Sequence, residues 1–478
     1  MSYCGYVVKV DQIRKHTNAD RLQVVTFFGN DTIVSMETHQ GDIGVYFPSD
    51  GQLSERFCQV NDLVRRKDEN GNPAGGYMDP AKRNVKPIKL RGEKSDGLYL
   101  PITCLAEFCA ISDLNVGDKI DVLNGEEICR KYIPRINKQG YSGKGSRHHK
   151  AKANYAPTFY EHVETEQLAY NLNQFKPGDI VQLTLKMHGT SGRTGHLPVQ
   201  KTRRSFLDKL LRRHGKDYFE YDYVTGTRRV VLDGIKKGGF YESDDFRYAM
   251  SAKFNGKLLK GETVYYEIVG FQGPKGAPIM GQVQNSKIKD KEFSKQYGDV
   301  TTFSYGCEQN GDYGSKEMHV FHTEAWESDP ADAWEDSVIP PCCELYVYRM
   351  TMVNADGDAV EYSPTQIKYR CEQMGVKTVM EFETFQIPPF VRNEDGVTIH
   401  VNSGEYVLRK VEQYFDGPDP IGKTHIREGV VARILNRSNF AVYKHKNFSF
   451  KVLEGIAKDE ATAPDIEEAQ EDVDDCDA

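Results

Sequence analysis

Between Val181 and Lys446 the chain repeats one arrangement, a short apolar run of β-type residues that carries a charged side chain. Val181-Gln182-Leu183-Thr184-Leu185-Lys186 delivers a lysine directly before Met187-His188-Gly189, a turn-forming sequence. Val264-Tyr265-Tyr266-Glu267-Ile268-Val269-Gly270 is apolar except for one acid, and Arg427-Glu428-Gly429-Val430-Val431 leads an acid and a glycine into another apolar run. In Val442-Tyr443-Lys444-His445-Lys446 the alternation of a strand puts both lysines on one face. A carboxylate inside an apolar strand is costly to bury unless it meets a cation, a polar ligand group or a metal. The pattern predicts an α+β fold of antiparallel sheets with a few flanking helices, whose charged strand residues line a pocket.

Two helices can be placed. Ser363-Pro364-Thr365-Gln366 combines a capping serine, a first-turn proline and a capping-box glutamine, with Gly375 as the stop. A second spans about Glu405 to Tyr414, before the breaker Gly417-Pro418-Asp419-Pro420. Up to Val122 the chain reads as short β runs (Tyr6 to Val10, Leu22 to Phe28, Gly44 to Phe47, Gly97 to Leu100) separated by Gly, Asn and Asp, a pattern that predicts a small barrel. The lead-in His16-Thr17-Asn18-Ala19-Asp20-Arg21-Leu22 resembles the opening of OB-type barrels; a generic small β domain fits the same residues.

Charge completes the division into parts. The formal net charge of −8 argues at first against a nucleic-acid partner. Ten acids and one base fall between Lys458 and the end, however, in a stretch without aromatics that reads as a solvated tail, and the rest holds 61 basic and 60 acidic residues. Cys129 to Lys152 carries eight Lys or Arg and no acid, the composition of a basic linker, and Lys201 to Lys216 carries seven bases against Asp208. In the second block Phe206, Leu207, Leu210 and Leu211 stand at helical spacing. The expected organisation is residues 1–125 as an OB-like nucleic-acid-binding domain, 126–155 as linker, 156–457 as the domain bearing the charged strands, and 458–478 as an acidic disordered tail. The ten cysteines give neither a disulfide framework nor a zinc pair, and no apolar run or leader suggests membrane or export, so a cytoplasmic setting is expected.

Strand-borne Lys, Glu, Glu and Lys-x-Lys in this order fit covalent nucleotidyl transfer. A lysine attacks an α-phosphate, carboxylates hold a divalent cation against the phosphate oxygens, and further lysines offset the charge that develops. Each element alone has a plainer reading: Lys186 as an exposed lysine beside a turn, Arg228-Arg229 as a cationic strand edge, and His148, His149 and His162 as surface or linker histidines.

The ordered set resembles the ATP-dependent RNA ligases of the lysyl-nucleotidyltransferase superfamily across most of Ala156 to Ala457. Lys186-Met187-His188-Gly189 looks like the nucleophile motif, and Thr225-Gly226-Thr227-Arg228 like the motif whose arginine contacts the nucleotide or the reacting end. Tyr266-Glu267-Ile268-Val269-Gly270 resembles the third motif, with Glu267 implied at the ribose or the metal. Ser304-Tyr305-Gly306-Cys307 and Val347-Tyr348-Arg349-Met350-Thr351 resemble the strands after it, with Tyr348 stacking on adenine; Tyr346 shares its parity. Glu428-Gly429-Val430-Val431 looks like the metal-binding motif and Lys444-His445-Lys446 like the last.

The resemblance is strongest to the Deinococcus-type ligases, which place an OB-type domain before the transferase domain. It implies Lys186 as nucleophile; His188, Gly189, Ser191, Arg228, Glu267, Tyr348, Lys444 and Lys446 around the nucleotide; and Glu428 with Glu267 on the metal. It implies ATP and Mg²⁺ (or Mn²⁺) as cofactors and RNA, or a nicked duplex containing RNA, as partner, with a role in RNA repair. A non-catalytic RNA-binding protein on the same scaffold and a capping-type guanylyltransferase are the alternatives; the short stretch after Lys446 leaves no room for the C-terminal domain of capping enzymes. The Lys186 to Lys446 span exceeds a compact ligase core, with the surplus expected at Gly192 to Val224 and Gly273 to Cys343.

Overall fold

The computed structural model describes residues 3–133, 155–204, 215–270 and 343–459, apart from residues 164, 229, 233–244, 355, 393–397 and 422–425, together with residues 272, 279–280, 283–284 and 301–302. Most of the basic linker, the acidic tail, Ser304 to Cys307 and the tip of the Lys201–Lys216 block lie outside them. The chain forms two compact units, Met1–Arg135 with Phe448–Glu460, and Ile136–Asn447.

In the first unit Leu98–Pro101, Ile43–Phe47, Gly5–Lys9 and Lys119–Ile120 form an antiparallel sheet, and Ile13–Lys15, Leu22–Phe27 and Asn30–Ser35 form a second. Among the described residues these strands make separate sheets with no closed ladder, so the expected barrel closure is not seen. The physical reason is that rings, not backbone hydrogen bonds, join the two sheets. Phe27 stacks on Tyr99 at 5.2 Å and packs on Tyr46 at 5.4 Å. The core gathers Val7, Val45, Phe47, Leu53, Phe57 and Leu105.

The helix Phe448–Asp459 belongs to this unit, although the sequence reading carries the second domain to residue 457. Phe450 and Leu453 are fully buried, and Lys451 Nζ reaches Asp96 Oδ2 at 2.6 Å.

The second unit contains two larger sheets. One has the order Glu166–Gln167, Ala441–Lys446, Gly429–Ile434, Ile180–Lys186, Glu381–Gln386. The other runs Lys216–Gly226, Thr190–Arg203, Glu262–Gly270, Cys343–Val353, Ala359–Glu361, with Lys377–Thr378 also paired to Cys343–Val353. Alternation gives each sheet a face whose apolar side chains pack against helices. In the first, Val181, Leu183, Ala432, Ile434 and Tyr443 pack on Val407 and Val411 of the helix Ser403–Val411. In the second, Val264, Tyr266, Ile268, Leu345 and Val347 pack against Phe246 and Met250 of the helix Asp245–Ala252 and Ile367 and Cys371 of the helix Pro364–Met374.

The helix Pro364–Met374 has the predicted start and stop: Ser363 and Gln366 form the capping box, and Gly375 ends it at φ 67°. The other predicted helix begins earlier than expected, because the Asn402 side chain accepts a hydrogen bond from the Glu405 N–H and so caps Ser403–Val411.

One buried ion pair ties the second sheet to its helix. Glu262 is fully buried and meets Arg370 through Nε at 2.7 Å and Nη2 at 2.8 Å. Arg370→Ala leaves that carboxylate without its cation, and chemical denaturation should show a loss of about 3–5 kcal/mol.

Candidate active site

Ile180–Lys186 lies beside the consecutive antiparallel strands Gly429–Ile434 and Ala441–Lys446, far along the chain, with Lys186 opposite Gly429 and Gly429 opposite Lys446. Directly opposed residues project to the same side, so Lys186 and Lys446 share a face with Thr184, Val431 and Lys444. Glu428 ends the loop just before this ladder and is only 2% exposed. Its Oε1 lies 2.8 Å from Lys186 Nζ and 3.2 Å from Lys446 Nζ. Burial alone pushes the Glu428 carboxyl up, but Lys186 and Lys446, with His188 next, outweigh it and hold the group well below the usual carboxylate range. Glu428 is therefore an anion at any physiological pH.

The second carboxylate oxygen is placed differently. His188 Nδ1 stands 3.6 Å from Glu428 Oε2, too far for a hydrogen bond, and Oε2 is buried with no hydrogen-bond partner. A buried, unsatisfied carboxylate oxygen is a donor suited to a hard cation. Mg²⁺ is commonly held by one or two carboxylates, substrate phosphates and water, so the absence of a cluster of three His, Cys, Asp or Glu among the described residues is compatible with that use.

The turn after Lys186 is anchored to the other sheet. Gly189 N–H donates to Glu267 Oε1 at 3.1 Å, and the Ser191 hydroxyl donates to Glu267 Oε2 at 3.3 Å. Ser191 and Glu267 are opposed in the ladder. Glycine is required at 189 because a Cβ there would lie 2.2 Å from the Ile268 carbonyl oxygen. Arg247, which no motif pointed to, braces the same turn: Nη1 donates to the Ser191 carbonyl at 3.0 Å and Nη2 to Thr190 Oγ1 at 2.7 Å. Its signal in the sequence is faint, an arginine among the core-facing Phe246, Met250 and Phe254.

No family model matches the chain, and no curated protein matches it. Among solved structures, the Naegleria gruberi RNA ligase appears repeatedly. A mutant with ATP and Mn is 15% identical, with 94% of this chain and 97% of that one covered and a TM-score of 0.50. A second mutant with ATP and Mn is again 15% identical, covers 95% and 99%, and has a TM-score of 0.51. The chain shares its fold with an RNA ligase.

Within this ligase fold the expected residues divide into two groups. Lys186, His188, Glu428 and Lys446 meet directly, and Gly189, Ser191 and Glu267 adjoin them through the turn. Tyr348 instead packs edge-on against His162, and the charges of Arg228 and Lys444 act on that same ring. The reading of His162 as a surface or linker residue is corrected: its ring lies 5.0 Å from Tyr348, 5.8 Å from Tyr265 and 6.2 Å from Phe440, with Arg349 Nη1 3.5 Å from its Nδ1. Burial, then the cations Arg349, Arg228, Lys444 and Arg193, push its pKa well below the ordinary value, so His162 is neutral. Spacing could not reveal this, because every partner arrives from another strand.

The structure also separates Tyr346 from Tyr348. A bulge shifts the register, Tyr265 opposing Arg349 and Tyr266 opposing Val347, so Tyr348 is the extra residue and is partly exposed. Tyr346 opposes Glu267 and is buried with Leu185, Met187 and Val269.

Proposed function

We propose that this protein is an ATP-dependent RNA ligase that joins a 3′-OH to a 5′-phosphate through a lysyl-AMP intermediate. The observation that carries the reading is the buried Glu428 carboxylate with Lys186 and Lys446 at 2.8 and 3.2 Å, assembled from strands that match the ordered motifs. The fold shared with a ligase captured with ATP and Mn supports it.

In the first step Lys186 Nζ attacks the α-phosphorus of ATP. A P–N bond forms, the bond from that phosphorus to the bridging oxygen breaks, pyrophosphate leaves, and the amine proton passes to solvent. Lys444 and Lys446 offset charge on the α-phosphate oxygens. Tyr348 covers the base, and His188, Ser191 and Arg228 contact the nucleotide or the RNA end. Glu428, with Glu267, holds Mg²⁺ or Mn²⁺, which when bound neutralises phosphate charge. In the second step an oxygen of the RNA 5′-phosphate displaces Lys186 from AMP. In the third the 3′-OH attacks the 5′-phosphorus, AMP leaves, and a phosphodiester forms.

The finer reading is a Deinococcus-type ligase acting in RNA repair in the cytoplasm, on RNA or a nicked duplex containing RNA, with the first unit serving as an OB-like substrate-binding module. The β-rich first unit preceding the transferase unit is in keeping with that layout. Among the described residues no helix is long and apolar enough to cross a membrane.

The test is incubation with α-labelled ATP and Mg²⁺, followed by denaturation. Label that stays with the chain, and fails to do so with GTP, is the expected result. No label from ATP would overturn the proposal, and label from GTP alone would move it to guanylyl transfer.

A further inference from the structure

The surplus between Gly192 and Val224 is a long two-stranded ribbon. Thr190–Arg203 and Lys216–Gly226 pair without interruption from Arg193 opposite Gly226 to Arg203 opposite Lys216. The chain thus forms strands up to Arg203 and from Lys216, with residues 205–214, the proposed helical part of the basic block, outside the described residues.

The ribbon's two faces differ. Leu197, Val199 and Val224 are buried on one side against Ala156 and Phe159. On the other side Phe219, Tyr221 and Tyr223 succeed one another at every second residue, opposite Gln200, Pro198 and His196. Phe219 is 59% exposed and Tyr221 is 39% exposed. Tyr223, at the inner end of the row, packs on the core beside the helices and is stacked by His196 at 4.7 Å with an interplanar angle of 4°; the His196 ring also lies edge-on 5.8 Å from Tyr221, so the gap open to a base is the one between Phe219 and Tyr221. Lys260 Nζ lies 5.1 Å from the Tyr221 ring centre.

We infer that this aromatic row is a docking surface for unpaired RNA bases. Side chains at alternate positions of a strand are about 6.6–6.8 Å apart, room for one base about 3.4 Å thick between two rings. Exposed aromatic rings beside a cation are the combination found on stacking surfaces for single-stranded nucleic acid.

Charge complements an anionic strand. Glu220 and Asp222 are taken up by Lys201 at 3.3 and 2.7 Å on the opposite face. Asp217, the one acid on the aromatic face, accepts from the Thr202 hydroxyl at 2.5 Å and the Gln200 amide at 3.0 Å. Lys201, Arg203 and Lys216 belong to the face opposite the rings, and Lys260 is the cation that the structure places against an exposed ring of the row.

The strand that forms the ribbon starts at Thr190, beside Glu267. Gln200, opposite Phe219, follows Ser191 by nine residues, which at about 3.3 Å per residue places the platform about 30 Å along the strand from the reacting end. It therefore holds the body of the RNA. This inference rests on the RNA reading above but is tested without ATP.

Binding of a dye-labelled, single-stranded RNA to the full-length protein is followed by fluorescence anisotropy at low salt. Phe219→Ala and Tyr221→Ala should each weaken binding about tenfold, since stacking contributes roughly 1–3 kcal/mol per base. Phe219→Trp should restore it, and Tyr218→Ala, on the opposite face, should leave it unchanged. A Phe219→Ala/Tyr221→Ala protein of unaltered melting temperature that still binds RNA like the parent overturns the inference. So does preference for a fully paired duplex, or no RNA binding by the parent. Label transfer from ATP to the parent is scored separately: its absence counts against the ligase reading, while ring-dependent RNA binding still supports the platform.

Discussion

Lys186→Ala should take up no label from α-labelled ATP, and sealing driven by ATP should fall by on the order of 10⁴-fold or more, because the nucleophile is gone. The informative comparison is an RNA whose 5′ end already carries AMP. That substrate enters after the lysine has acted, so the variant should seal it far better than it uses ATP. A variant that still binds label covalently would remove Lys186 from the first step. One equally inactive on the pre-adenylylated end would mean that the substitution had damaged the site as a whole. The ammonium of Lys186 is itself one of two cations on a buried carboxylate, so the melting temperature of the variant must be measured alongside.

Glu428→Gln has the second-largest expected effect, and it acts on both stability and chemistry. The substitution keeps the shape but leaves Lys186 and Lys446 facing a neutral amide in a buried place. A loss of about 3–5 kcal/mol in denaturant unfolding is expected. Label transfer should fall by roughly 10²–10³-fold through loss of the anion that holds the cation and orders both lysines.

The pH dependence has a definite sign. The Glu428 carboxyl is held below the ordinary glutamate value in the folded state by Lys186 and Lys446, which outweigh its burial. Its contribution is complete above the ordinary carboxylate range and is lost only as pH falls through the lower folded-state value. The stability gap between parent and Glu428→Gln should therefore be flat from neutral pH down to about pH 5 and shrink in stronger acid. A gap that grows on acidification would show that Glu428 is not held ionised by its lysines.

The two units differ in how much of them could be read in advance. In the second, the strands around Lys186, Glu267, Glu428 and Lys444-His445-Lys446 were legible because an apolar run with a single charge is a local signal, and so was the cap of Pro364–Met374. In the first, the strands were legible but their closure was not, since a barrel needs a continuous ladder and rings such as Phe27 and Tyr99 join the sheets here instead. Arg247 and His162 were not legible as site residues. Each owes its importance to partners from distant strands or helices, and neither leaves a periodic trace.

By itself the sequence determined which side chains share a strand face, because alternation along an extended backbone is a property of neighbouring residues. It determined in this way that Lys444 and Lys446 project together, and that a glycine at 189 and an acid at 428 stand beside apolar strands. Only the tertiary structure decided that Lys186, Glu428 and Lys446 are one ion cluster, that the bulge exposes Tyr348 and buries Tyr346, and that Phe448–Asp459 joins the first unit. Those outcomes depend on the order of strands in a sheet and on ladder register, which are set by packing between segments far apart in the chain.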